Sequence, residues 1–209
     1  VAKLRDSADY LRNPVSIAAN DDRIYVMDIA RFCLSSGADL VPWQDVSLAI
    51  YDNLGNPICK KGCSGEEPGK FSVRYGESLL EIAVKDQSLY VLDKGGGRLQ
   101  EFDLSGNLLR SVEAAGRISE SHGLAINNYG AYLLTPNFVS NISYDGNRKF
   151  KELRNITGIA ASGENLFLLS SEKLLVCDKD VNILSEQKID QLGDYYCGRM
   201  AYHDGQLFI

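Results

Sequence analysis

Few side chains in this sequence are suited to chemistry, and those few are scattered. There are two His, His122 and His203, and five Cys: Cys33, Cys59, Cys63, Cys177 and Cys197. A catalytic zinc takes three protein ligands and keeps one position open. Two His do not supply that set, so His122 is at most a weak metal candidate, and a structural His is the plainer reading. No G-x-S-x-G nucleophile turn occurs. Gly95-Gly96-Gly97 lacks the Lys-Ser/Thr of a phosphate loop and reads as a flexible connector. The carboxylates concentrate in turns, where they cap backbone amides, and none shows calcium-loop spacing. No catalytic residue and no cofactor is expected.

The Cys carry a different signal. Cys33, Cys59 and Cys63 cluster in or beside two long connections, where a disulfide could staple chain that has little core of its own. C-K-K-G-C is neither a redox C-x-x-C nor half of a zinc finger. Cys177 reads as a small core residue. Asn141-Ile142-Ser143 and Asn155-Ile156-Thr157 are glycosylation sequons. With the Cys cluster they point to an extracellular or cell-surface setting, a cytoplasmic one being the alternative.

The elements that must position these residues come from a repeat. IAANDDRIYVMD (17–28) and IAVKDQSLYVLD (82–93) share one pattern. The same spacing links Leu124-Ala125 to Ala131-Tyr132, Ile159-Ala160 to Leu166-Phe167, and Met200-Ala201 to Leu207-Phe208. Turn formers separate each pair, so each unit reads strand, tight turn, strand. A second hairpin follows in the first four units. Gly55-Asn56, Gly106-Asn107 and Gly146-Asn147 mark its tip, with Val181-Asn182 in the fourth. Asp52, Asp103 and Asp178 stand three residues before the tip, Ser143 replacing them in the third unit. Each unit is therefore four short antiparallel strands, a to d.

Four-stranded units repeated at this period predict an all-β fold, a β-propeller of four-stranded antiparallel blades. Runs such as LYVL and LFLLS are apolar without alternation, as strands buried on both faces require. The recurring aromatic at Tyr25, Tyr90, Tyr132, Phe167 and Phe208 reads as packing between blades. Blades are expected at about 13–59, 73–113, 122–153 and 157–187. A partial blade follows at 196–209, with 1–6 as a possible closing strand, all in a single domain over 1–209.

IAVKDQSLYVLDKGGGRLQEFDLSGNLLRSV resembles the NHL repeat family, whose blades read approximately G-I-A-V-x-x-x-G-x-I-Y-V-x-D, then R-I-Q-x-F-x-x-x-G. HGLAINNYGAYLL, from His122, matches the first half of that motif. The third and fourth units depart from it, with Thr135 and Ser170 where Asp28 and Asp93 stand. The resemblance implies a six-bladed parent, of which this chain is a part, an intact ring of five blades being the alternative. NHL-like lyases that amidate peptides place zinc ligands around the channel at positions like that of His122. A metal-dependent lyase or hydrolase completed by further blades is therefore the alternative function. Some members bind RNA through a basic face, and a formal net charge of -6 counts against that here. No apolar run is long enough for a membrane span.

The primary expectation is a non-catalytic binding or assembly module. The first unit carries a long b-to-c connection over Ala30–Asp45 and a long connection after strand d over Lys60–Ser78. In a propeller these emerge on one face, and long loops on a rigid scaffold often bind partners. Trp43, Arg31, Phe32 and Arg74 are the expected contacts to another protein or another copy of the chain. The alternative is that Trp43 folds back to anchor its own loop.

Overall fold

The computed structural model describes residues 11–36, 39–62, 64–72, 80–114, 118–144, 147–189 and 200–209, and for 31–36 and 39–44 the backbone alone. The chain divides into two compact units, Val1–Ala115 and Gly116–Ile209. Unit 1 holds two four-stranded antiparallel sheets. The first comprises β1 (Pro14–Ala19), β2 (Arg23–Ser36), β3 (Asp39–Asp52) and β4 (Pro57–Gly62); the second, β5 (Leu80–Lys85), β6 (Ser88–Asp93), β7 (Arg98–Asp103) and β8 (Leu108–Glu113). Unit 2 holds β9 (Gly123–Asn127), β10 (Gly130–Leu134), β11 (Phe138–Ser143) and β12 (Arg148–Glu152), then β13 (Ile156–Ala161), β14 (Leu166–Ser170), β15 (Lys173–Cys177) and β16 (Ile183–Lys188). A two-stranded pair, β17 (Ala201–His203) and β18 (Gln206–Phe208), follows. Neighbouring strands pair in sequence order, and one 3₁₀ turn at Ile118–Glu120 is the only helix among the described residues. The expected closing strand at 1–6 lies outside the described residues.

The continuous apolar runs form strands because both faces of each inner strand are covered. In unit 1, Tyr25, Met27, Leu48 and Ile50 pack on Leu80, Ile82, Leu89, Val91 and Phe102 of the next sheet. On the other face of the same strands, Val26, Ala49 and Tyr51 form a second cluster. In unit 2, Tyr132, Leu134 and Val139 meet Ile159, Leu166, Leu168 and Cys177. The recurring aromatic therefore packs between sheets at Tyr25 and Tyr132, and Phe167 stacks on Tyr202 at 5.3 Å. Phe208 is exposed. Burial pushes the Cys177 thiol up to about 11, which marks it as the inert core residue expected.

The c-to-d hairpins share one device. Oδ1 of Asp52 accepts the amides of Leu54 and Asn56 while Oδ2 accepts Asn56 Nδ2. Asp103 with Ser105 and Asn107, and Asp178 with Asp180 and Asn182, repeat it. Gly55 and Gly106 carry the positive φ of the tip, 83° and 79°. The Asn four residues on is thus the Asp's second partner. It holds all three carboxyls below their ordinary value, the Asn side chain leading at Asp52 and Asp178 and the Asn backbone amide at Asp103. A depressed carboxyl contributes stability above its unfolded value and loses it as pH falls through the folded one. Melting temperature should therefore fall on acidification below about pH 4. A D52N/D103N/D178N variant should be less stable at pH 7 and show a flatter slope there. An unchanged slope would remove these turns from the acid response.

Strand b of each unit 1 sheet carries a fully buried carboxylate, Asp28 within β2 and Asp93 at the end of β6. Asp28 accepts the amides of Arg12 and Asn13 and pairs with Lys60 Nζ at 3.0 Å. Asp93 accepts the amides of Ser72 and Gly96 and pairs with Arg98 Nε at 3.0 Å. In unit 2 the hydroxyls of Thr135 and Ser170 instead close the b-to-c turns on Phe138 and Lys173. Gly95–Gly97 is a cradle rather than a free connector. A Cβ on Gly96 would lie 2.3 Å from Asp93 Oδ2.

Candidate functional site

The Ala30–Asp45 connection, expected as a loop, is a β-ribbon. β2 and β3 run 14 residues each, against 6 for β1 and for β4. Their ladder continues beyond the flanking strands, from Ile29↔Val46 to Ser36↔Asp39. The correction has a physical reason: Gly37-Ala38 separates two stretches rich in β-formers, so they pair with each other. Phe32 stands opposite Trp43, and Arg31 opposite Gln44. Trp43 is thus in a strand. Arg74 lies outside the described residues.

The connection after β4 is also less open than its length suggests. Phe71 is 1% exposed and packs at a tilt on Phe102, ring centroids 5.6 Å apart. Arg98 donates to the carbonyls of Glu66, Glu67 and Lys70, and Gln100 holds Gly69 N and Lys70 O. Over 64–72 this stretch is clamped to its sheet.

Two modification candidates are corrected. Cys59 is a free thiol opposite Ile50, whereas Cys33 stands opposite Pro42, eight residues along β3. At ~3.3 Å per residue that is about 26 Å, far beyond the ~7 Å a disulfide spans. Cys63 and Cys197 lie outside the described residues. Asn141 is 6% exposed, and its Nδ2 donates to the Lys179 carbonyl at 3.1 Å, so its sequon is closed to a transferase in the folded chain. Asn155 is exposed. His122 is exposed at the start of β9, its amide bonded to Leu134 O. Among the described residues, no three His, Cys, Asp or Glu side chains converge.

Unit 2 contains an open surface pocket of about 290 Å³ that the sequence reading missed. β11 and β12 line it with Asn141, Ser143 and Lys149, the turn after β15 with Lys179 and Asp180, and the turn after β9 with Tyr129. Asp180 pairs with Lys149 through one oxygen and with Lys179 at 2.6 Å through the other. The two ammonium groups, Lys149 first, hold its carboxyl down at about 2. Beneath them the Tyr132 hydroxyl and Asn141 Nδ2 both donate to Lys179 O. Asn141 Oδ1 and Asn127 Nδ2 are buried beside the Tyr132 hydroxyl, closed to solvent. The repeat did hold a signal. Ser143 takes the place of Asp52 in the first unit.

No family model and no curated protein sequence matches the chain. Solved structures do. A catalytically inactive variant of virginiamycin B lyase from Staphylococcus aureus, with quinupristin, aligns at TM-score 0.56 and 12% identity, over 96% of this chain and 78% of that one. Hydrazine synthase from Kuenenia stuttgartiensis aligns at 0.52 and 12%, over 86% and 50%. A protein of unknown function from Desulfotomaculum acetoxidans aligns at 0.52 and 11%, over 88% and 58%. These likenesses, with the four-stranded sheets, show an all-β protein of β-propeller type.

Proposed function

We propose that the chain is a non-catalytic binding and assembly module, a single propeller domain of the NHL-repeat type with six blades in the parent. The β2–β3 ribbon is the contact for another protein or a second copy of the chain. One observation carries this reading: beyond Ile29↔Val46, seven rungs of ladder, Ala30↔Asp45 to Ser36↔Asp39, have no third strand beside them among the described residues. An isolated two-stranded ribbon is marginal in water, and its edges offer unpaired N–H and C=O groups to an incoming chain. The ribbon includes Phe32, Leu34, Leu40, Val41 and Trp43, and aromatic and Arg residues such as Trp43 and Arg31 dominate binding energy. Arg74, in the connection after β4, belongs to the same proposed surface.

The acidic balance supports a protein rather than a nucleic-acid partner, and no helix among the described residues is long and apolar enough to cross a membrane. The exposed Asn155 sequon supports an extracellular or cell-surface setting. No cofactor enters the reading.

The test is a photo-crosslinking residue at position 43, used in the native compartment to capture the partner or a second copy, followed by Trp43→Ala against whatever is captured. The substitution should weaken binding by about 2 kcal/mol and leave the melting temperature nearly unchanged. A lower melting temperature at unaltered affinity would make Trp43 an anchor for its own ribbon and overturn the assignment.

A further inference from the structure

Two bonds at the root of the β2–β3 ribbon fix the direction of the backbone groups along it. Ile29 N donates outward to Asn13 O at 3.0 Å, and Val46 N donates outward to Ser64 Oγ at 2.7 Å. Ile29 and Val46 face each other in the ladder, so theirs is a non-hydrogen-bonded pair. Such pairs alternate with hydrogen-bonded ones along an antiparallel ladder. Arg31↔Gln44, Cys33↔Pro42 and Ser35↔Leu40 are therefore of the same kind, and their backbone N–H and C=O groups face away from the ribbon. Pro42 fits this phase, because a residue without an N–H could not serve in the intervening pairs. The pairing of β1 ends at Asp28 and that of β4 at Ser47, so no strand among the described residues meets these outward groups. The two edges differ. On β3, Pro42 leaves a gap between the donors of Gln44 and Leu40, a device that blunts an edge. On β2, Arg31, Cys33 and Ser35 offer N–H and C=O at every second residue without a break.

We propose that the β2 edge of the ribbon pairs antiparallel with the β2 edge of a second copy of the chain, about a two-fold axis at Cys33. The two ribbons then form one four-stranded sheet. This rests on the ribbon as the contact surface and adds the edge, the register and the occupant. A two-fold axis at Cys33 sets Arg31 opposite Ser35 of the second copy and engages all three outward residues, about six backbone hydrogen bonds. An axis at Arg31 would set like charges directly opposite, which is destabilising. An axis at Phe32 or Leu34 would engage only two of the three. Over 30–40 the chain carries only Arg31 and Asp39 as charges, so its net charge of -6 is not concentrated at this junction. Pairing removes the unbroken edge from water and gives each ribbon the further strands that an isolated hairpin lacks. A closed two-fold contact also stops at two copies.

The test combines sedimentation with residue-resolved hydrogen exchange on the full 209-residue chain, over a micromolar to millimolar concentration series. Sedimentation should show a concentration-dependent dimer. As it forms, the amides of Arg31, Cys33 and Ser35 should gain protection by about tenfold or more, and those of Leu40 and Gln44 should not. Cys33→Pro removes the central donor and should weaken the dimer about tenfold or more, whereas Gln44→Pro, on the other edge, should leave it unchanged. Ser35→Glu and Ser35→Arg read the register without disturbing the backbone. The first should tighten the dimer and the second loosen it, each by about fivefold, through the two contacts with Arg31. A dimer lacking protection at Arg31, Cys33 and Ser35 would overturn the proposal, as would equal effects of Cys33→Pro and Gln44→Pro. A chain monomeric throughout would overturn it too. If position 43 then crosslinks a different protein, the ribbon reading survives; if it crosslinks nothing, both fall.

Discussion

Arg98→Ala should lower the stability of the chain by about 3–5 kcal/mol, the largest effect of any single substitution considered for unit 1. The side chain is 10% exposed and Asp93 is fully buried. Removing the guanidinium leaves a carboxylate in the interior with only the amides of Ser72 and Gly96 as partners. It also strips the carbonyls of Glu66, Glu67 and Lys70 of their donor, so the 64–72 segment and the Phe71 it inserts lose their clamp. For a chain of this length the melting temperature should fall by roughly 6–20 °C. Arg98→Lys should recover little, since a point ammonium cannot span four acceptors in a fixed fork. Asp93→Asn added to Arg98→Ala should recover part of the loss, because the unpaired charge is gone. Thermal melts of the single and double variants give the coupling directly. A single variant within about 2 °C of the parent would show that water or neighbouring amides satisfy Asp93 unaided.

In unit 2 the corresponding sensitivity lies at Gly130. Its φ is 147°, and a Cβ there would stand 2.3 Å from Ile142 O and 2.8 Å from Ser143 Cα. Both obstacles are backbone of the paired strand β11, so no side chain can rotate away. Gly130→Ala should therefore cost about 3 kcal/mol and roughly 6–12 °C. Hydrogen exchange should accelerate first in β9–β11, where the ladder must open to admit the methyl group. Protection unchanged in β10 and β11 would contradict the geometry.

The blades were legible from local spacing. A hairpin turn, its capping Asp and the period of the strands are set by residues within about ten positions of one another, and the Asp cap recurs in three of the four four-stranded sheets. Asp52-x-x-Gly55-Asn56 is readable as a turn because all its hydrogen bonds close inside it. The Ala30–Asp45 segment reads as a loop in sequence because Gly37 and Pro42 interrupt the strand pattern. Pairing with the facing strand stabilises what composition alone left ambiguous. Val181 shows the same override. It occupies the hairpin Gly position at φ 62° and is held there by burial at 3% exposure in the second core.

The amino-acid sequence by itself determined the all-β class, the number and order of strands in each described sheet, and which strands are buried on both faces, because these follow from periodicity and turn chemistry. Only the tertiary structure decided what Arg98 and Asp28 hold, that Asn141 is enclosed and Cys59 remote from Cys33, and where the unit 2 pocket lies. Arg98 finds its acceptors 28 to 32 residues away, and Asn141 meets Lys179 across 38. Contacts over such separations depend on how neighbouring sheets pack, and nothing in the local pattern of either segment encodes its distant partner.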